Sequence, residues 1–105
     1  MVYVLVFQDK VRDRKMYDEY VRHVHPILAK YEGQIVSIDQ GATPMEGHLS
    51  PKTVILATFP TAERAFAWYD SKEYRDIVGL RHQSVKTDIL LIHGLPEKAG
   101  AVDAT

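Results

Sequence analysis

The sequence predicts an α+β fold, four strands and two helical regions in the order β-α-β-β-α-β, and three observations predict it. Four stretches are rich in β-branched and aromatic residues. Two longer stretches repeat their apolar residues at the helical period. Each helical stretch lies between two strands, as in a split βαβ unit, so the expected architecture is ferredoxin-like with one four-stranded antiparallel sheet.

The first strand is VYVLVFQ (2–8), apolar on both faces, as expected of a strand covered on both sides. From Asp13 to Tyr31, apolar residues fall at 17, 20, 21, 24, 27, 28 and 31, which predicts a helix. Asp13 can cap its start, and Gly33 stands where a left-handed C-cap residue is expected. Pro26 predicts a local distortion within it, since an interior proline costs roughly 3 kcal/mol. QIVSIDQ (34–40) and TVILATF (53–59) are the next strands, separated by the punctuated loop GATPMEGHLSPK.

Thr61 can cap a second helix with Ala62, Ala65, Phe66 and Tyr69 on one side. Asp70-Ser71 interrupts it, and Ser71 recaps a segment whose apolar face carries Tyr74, Ile77 and Val78. DILLIHG (88–94) is the last strand. Residues 1–95 are thus expected to form a single domain, and 96–105, PEKAGAVDAT, a flexible C-terminal tail.

The chain has 105 residues, 46% of them apolar and 26% charged, enough for one soluble core. Its net charge of −1, with basic and acidic residues interspersed, predicts no nucleic-acid partner, because such partners require concentrated positive charge. The N-terminal MVYVLVF lacks a basic leader and is too short to span a bilayer, so no membrane partner is expected. With no cysteine, disulfides and thiolate zinc sites are excluded, which fits a reducing, cytoplasmic setting. Glycine-rich phosphate loops, nucleophile elbows and His-Glu-x-x-His motifs are absent from the sequence, so neither cofactor nor metal is expected.

Two helical regions cover one face of a four-stranded sheet, yet the strands are apolar on both. The uncovered face would exceed the few hundred Å² of apolar patch that monomers usually carry. A homodimer pairing sheet to sheet is therefore expected.

From Val2 to about Gly94, and most specifically in AWYDSKEY…LR (Trp68 to Arg81), the chain resembles the family called domain of unknown function 1330. That family is similar to the dimeric α/β-barrel superfamily, which agrees with the dimer read from the strands. The resemblance implies a small-molecule cavity between helices and sheet in each subunit, with no settled reaction. The chain departs from the family pattern at Ile38, Asp39-Gln40, His48-Leu49, Thr53 and Thr58, which suggests a divergent branch with its own ligand.

Candidate site residues follow from chemistry. His23 and His25, two apart on a helix, point in different directions and do not grip one metal ion. His23, three residues after Tyr20, is the candidate for proton transfer at a cavity edge. Asp39 and His93 lie on opposite edge strands and would pair as carboxylate and imidazole only across a cavity or an interface. His48 lies in the long loop, where closure over a ligand is conceivable. Tyr20, Trp68 and Tyr74 are candidate cavity aromatics. Arg81, two turns beyond Tyr74, either salt-bridges an acid or binds an anionic substrate through its planar fork.

Two functions are compatible with these residues. One is a cofactor-independent enzyme of isomerase, lyase, lactone-hydrolysing or cyclising type, with His23, Asp39 and His93 moving protons and Tyr20, His48, Trp68, Tyr74 and Arg81 binding a small organic molecule. The alternative is a non-catalytic homodimer that binds a small ligand or serves in a stress response, and histidines that all face solvent would favour it.

Overall fold

In the computed structural model, residues 1–96 are described. The expected tail lies outside them from residue 97 onward. The elements are β1 (Val2–Gln8), α1 (Arg14–Lys30), β2 (Gln34–Asp39), β3 (Thr53–Phe59), α2 (Ala62–Asp70), α3 (Lys72–Ser84) and β4 (Thr87–His93). All sheet pairings are antiparallel, in the order β2-β3-β1-β4. This is the ferredoxin-like α+β fold.

The helix boundaries follow from caps. The side chains of Asp13, Thr61 and Ser71 accept hydrogen bonds from the N–H groups of Met16, Arg64 and Tyr74, so α2 and α3 are separate helices meeting at Ser71. Pro26 is accommodated inside a continuous α1. At its C-terminus the Gly33 N–H reaches the Leu28 carbonyl (2.8 Å) and the Glu32 N–H that of Ala29 (3.0 Å), a Schellman closure. The left-handed residue is Glu32, with φ 66°, and not Gly33 as the sequence suggests. Gly33 is needed for room instead: a Cβ there would lie 2.7 Å from the Phe59 ring.

The core lies between the helices and one sheet face. Val2, Val4 and Gln8 of β1, with Ala57 and Phe59 of β3, are buried beneath Tyr20, Val24 and Leu28 of α1 and Trp68, Tyr74 and Val78 of α2 and α3. Lys30 and the Tyr31 hydroxyl both reach the Glu73 carboxylate, tying the end of α1 to α3.

Among the described residues the opposite sheet face carries no helix. Paired residues share a face, so Leu56, Leu5 and Leu90 form one row across three strands. Thr58, Tyr3 and Ile92 form a second, and Val54, Phe7 and Asp88 a third. Leu90 and Ile92 are 55% and 44% exposed.

Candidate functional site

A cavity of about 110 Å³ lies between α1 and the helix-covered face of the sheet. An engineered apolar cavity of roughly 150 Å³ admits benzene, so this space suits a molecule of about one ring. Most of its wall is aliphatic or aromatic, including Val24, Leu28, Ile55, Phe59 and Trp68. His25 and Ile38 are its exposed members and mark a mouth beside the edge strand β2.

Its polar groups are few and unusual. Arg81, on the last turn of α3, is only 4% exposed, and among the described residues no carboxylate pairs with it. Of the two roles expected for it, the ion pair is not formed among the described residues: α1 presents aromatic residues to α3 here, and no acid. Its guanidinium carbon lies 5.9 Å from the Tyr20 ring centroid, a cation–π distance. Its Nε is buried without a partner, as is the indole Nε1 of Trp68. Burial opposes the charge, but Tyr74 and Tyr20 outweigh that and hold the Arg81 pKa above the ordinary arginine value. The result is a desolvated cation with no counter-charge.

Beside it the Tyr20 and Tyr74 hydroxyls are 2.9 Å apart. Their bond uses one of two hydroxyl hydrogens, so the other remains free to donate. Burial first, and Tyr74 second, push the Tyr20 pKa well above its ordinary 10.0. Tyr20 is thus a donor rather than a base in this cavity. Because the fold favours its neutral form, its stabilisation is complete below pH 10 and is lost as pH rises beyond it. Tyr20→Phe is expected to flatten this alkaline loss in denaturant melts between about pH 9 and 11; an unchanged slope would show that Tyr20 titrates normally.

The candidates therefore separate. Tyr20, Trp68, Tyr74 and Arg81 come together around one cavity. Trp68, which lies off the apolar stripe in the sequence, is buried because α2 ends there and its ring packs 5.5 Å from Phe59 and 4.5 Å from Tyr74. His23 lies on the exposed surface of α1 with Nε2 2.9 Å from Glu19, whose pKa it lowers together with Arg22. Asp39 and His93 sit at exposed ends of opposite edge strands, on opposite faces and at opposite ends of the sheet. His48 is exposed in the loop 40–52. The structure does not bring His23, Asp39, His93 and His48 together. Among the described residues no three His, Asp or Glu groups converge to hold a metal ion.

Gln8, Tyr17 and His25 are cavity residues that sequence reasoning missed. The Tyr17 hydroxyl donates to the side-chain Oε1 of Gln8 (3.1 Å), and Gln8 is buried at the strand end. A polar residue closing an apolar strand was the available signal for Gln8; His25 stands out in the sequence only beside His23, and its place at the cavity mouth follows from packing against the edge strand.

The sequence profile described as "Domain of unknown function (DUF1330)" matches residues 1–95. The chain belongs to this DUF1330 family. Comparison with curated proteins finds no match. Among solved structures, a protein of unknown function from Rhodopseudomonas palustris is similar with a TM-score of 0.75 at 17% identity, over 90% of this chain and 82% of that one. A putative antibiotic biosynthesis monooxygenase from Nitrosomonas europaea has a TM-score of 0.63 at 18% identity, over 91% of this chain and all (100%) of that one. A dimeric protein of unknown function with a ferredoxin-like fold from Bacteroides fragilis has a TM-score of 0.56 at 11% identity, over 89% and 96%. At such identities these likenesses show the fold of this DUF1330 chain and not its chemistry. No helix among the described residues is long and apolar enough to cross a membrane.

Proposed function

We propose that the protein is a homodimer in which each subunit binds a ring-sized organic acid, with the anionic oxygen on Arg81 and the body among the cavity's aromatic and aliphatic walls. The observation that carries this reading is the buried guanidinium without a counter-ion. An unpaired buried charge costs several kcal/mol, and a ligand carboxylate would supply the partner the chain lacks. The free hydroxyl hydrogen of the Tyr20–Tyr74 pair supports the same head-group. The dimer is supported by the bare apolar sheet face and by the likeness to a protein described as dimeric.

Catalysis is the second reading. A cation and a hydroxyl donor in a water-poor cavity stabilise an enolate as well as a carboxylate, and one structural neighbour is described as a putative monooxygenase. Such turnover would be cofactor-independent and would rely on charge stabilisation at oxygen. Proton transfer by His23, Asp39 and His93 is not part of this reading, because none of them lines the cavity.

Trp68 is the single tryptophan and lines the cavity, so its fluorescence reports occupancy. Benzoate is expected to change that signal saturably, while benzyl alcohol, of similar shape and uncharged, binds about tenfold or more weakly. Alanine at His23, Asp39 and His93 is expected to leave benzoate binding unchanged. Equal binding of the two probes would overturn the assignment of Arg81 as an anion anchor.

A further inference from the structure

Arg81 borders a second space that the proposed function does not use. A groove of about 470 Å³ runs between the end of α3, the start of β4 and the loop 9–13. Arg12, Arg81, His82 and Lys86 line it, with Asp88 as its one acid. Arg12 and Lys86 form no ion pair among the described residues.

The groove is framed by backbone rather than by free side chains. The Arg12 N–H donates to the Ser84 carbonyl (2.7 Å) and the Asp9 N–H to that of Lys86 (3.0 Å), which holds the two loops together. Ser84 and Val85 beneath them are buried. Two buried polar groups on this wall lack partners among the described residues: Arg81 Nε, on a side chain more than nine-tenths buried, and the Thr87 hydroxyl. A guanidinium, an unpartnered hydroxyl and two further cations thus line one groove, against a single acid, Asp88.

We infer that this groove binds a small doubly charged tetrahedral oxyanion, such as a phosphate group, with Arg81 and Thr87 at its floor and Arg12 and Lys86 at its rim. Charge-assisted hydrogen bonds to phosphate oxygens are the strong kind, and arginine suits them geometrically. His82 provides an internal reporter. Its pKa is lowered by partial burial and then by the nearby Arg81 and Arg75 cations. A bound dianion would offset those cations and raise it.

The test is an NMR pH titration of His82 in the full chain, with and without inorganic phosphate at constant ionic strength. Phosphate is expected to raise the His82 pKa saturably, and the Arg12→Ser/Lys86→Ser double variant to weaken that response about tenfold or more. Methyl phosphate separates the two sources of such a group. A response to the ester means that the phosphate end of a larger ligand fits, a response to the free ion alone means that inorganic phosphate is the occupant, and either supports the site. No response to phosphate, or an equal response in the double variant, overturns it. The double variant leaves the cavity intact, so its Trp68 response to benzoate is expected to be unchanged. Loss of the benzoate signal alone would count against the cavity's function and not against the groove.

Discussion

Arg81→Met is expected to raise the thermal midpoint of the unliganded protein while weakening benzoate binding. Two effects compete. Replacing a desolvated cation by an apolar side chain of similar volume removes a burial penalty on the order of several kcal/mol before any compensation. The lost contact with the Tyr20 ring takes back on the order of 1–2 kcal/mol. The first wins because a methionine side chain is apolar throughout and buries without cost, whereas the two tyrosines that support the Arg81 charge are neutral and no carboxylate accompanies it among the described residues. A net gain near 1 kcal/mol corresponds to about 4–8 °C for a domain of this size. Calorimetry and Trp68 fluorescence check the two halves together. Binding to benzoate should weaken by about 10–100-fold, the loss of one charge-assisted interaction. A lower midpoint with retained benzoate binding would mean that Arg81 is a structural residue. Site residues that cost stability are the expected sign of a function bought at the expense of the fold.

Leu90→Glu is expected to convert the proposed dimer to a folded monomer. In a single subunit Leu90 is 55% exposed, so a carboxylate there is hydrated and the far-ultraviolet circular dichroism should not change. In a sheet-to-sheet dimer the same position lies in the row Leu56-Leu5-Leu90 and would bury an unpaired charge. That penalty is several kcal/mol, so dissociation should strengthen by at least about 100-fold. Sedimentation at micromolar concentration reads the outcome. A wild-type chain that already sediments as a monomer, or a variant that stays dimeric, would remove this interface.

Much of the fold was legible because it rests on local rules. Asp13, Thr61 and Ser71 cap the helices that their side chains predict. The strand boundaries agree with the sequence reading to within a residue or so. Gly33 was read as a conformational need, whereas its neighbour Glu32 takes the left-handed turn and Gly33 makes way for the Phe59 ring. A turn residue can be guessed from its own chemistry; a close approach depends on a partner 26 positions away.

The cavity wall was legible only in part. Tyr20, Trp68, Tyr74 and Arg81, binding candidates on sequence grounds, all line one cavity. The proton-transfer candidates were chosen because imidazoles and carboxylates titrate usefully, yet intrinsic chemistry does not say where a side chain points. Asp39 and His93 illustrate this: being on edge strands follows from topology, but being on opposite faces follows from register, which the β-bulge between Ile35 and Ser37 helps to set.

By itself the sequence determined the order of strands and helices, the caps that bound them and the apolar surplus on both faces of the strands, since each arises from neighbouring residues and periodicity. Tertiary structure alone decided that Arg81 meets no acid among the described residues, that two tyrosine hydroxyls 54 positions apart are joined by a hydrogen bond, and that one guanidinium borders both a cavity and a groove. The physical reason is that burial without a partner belongs to a packed assembly of distant segments, and no stretch of chain carries it locally.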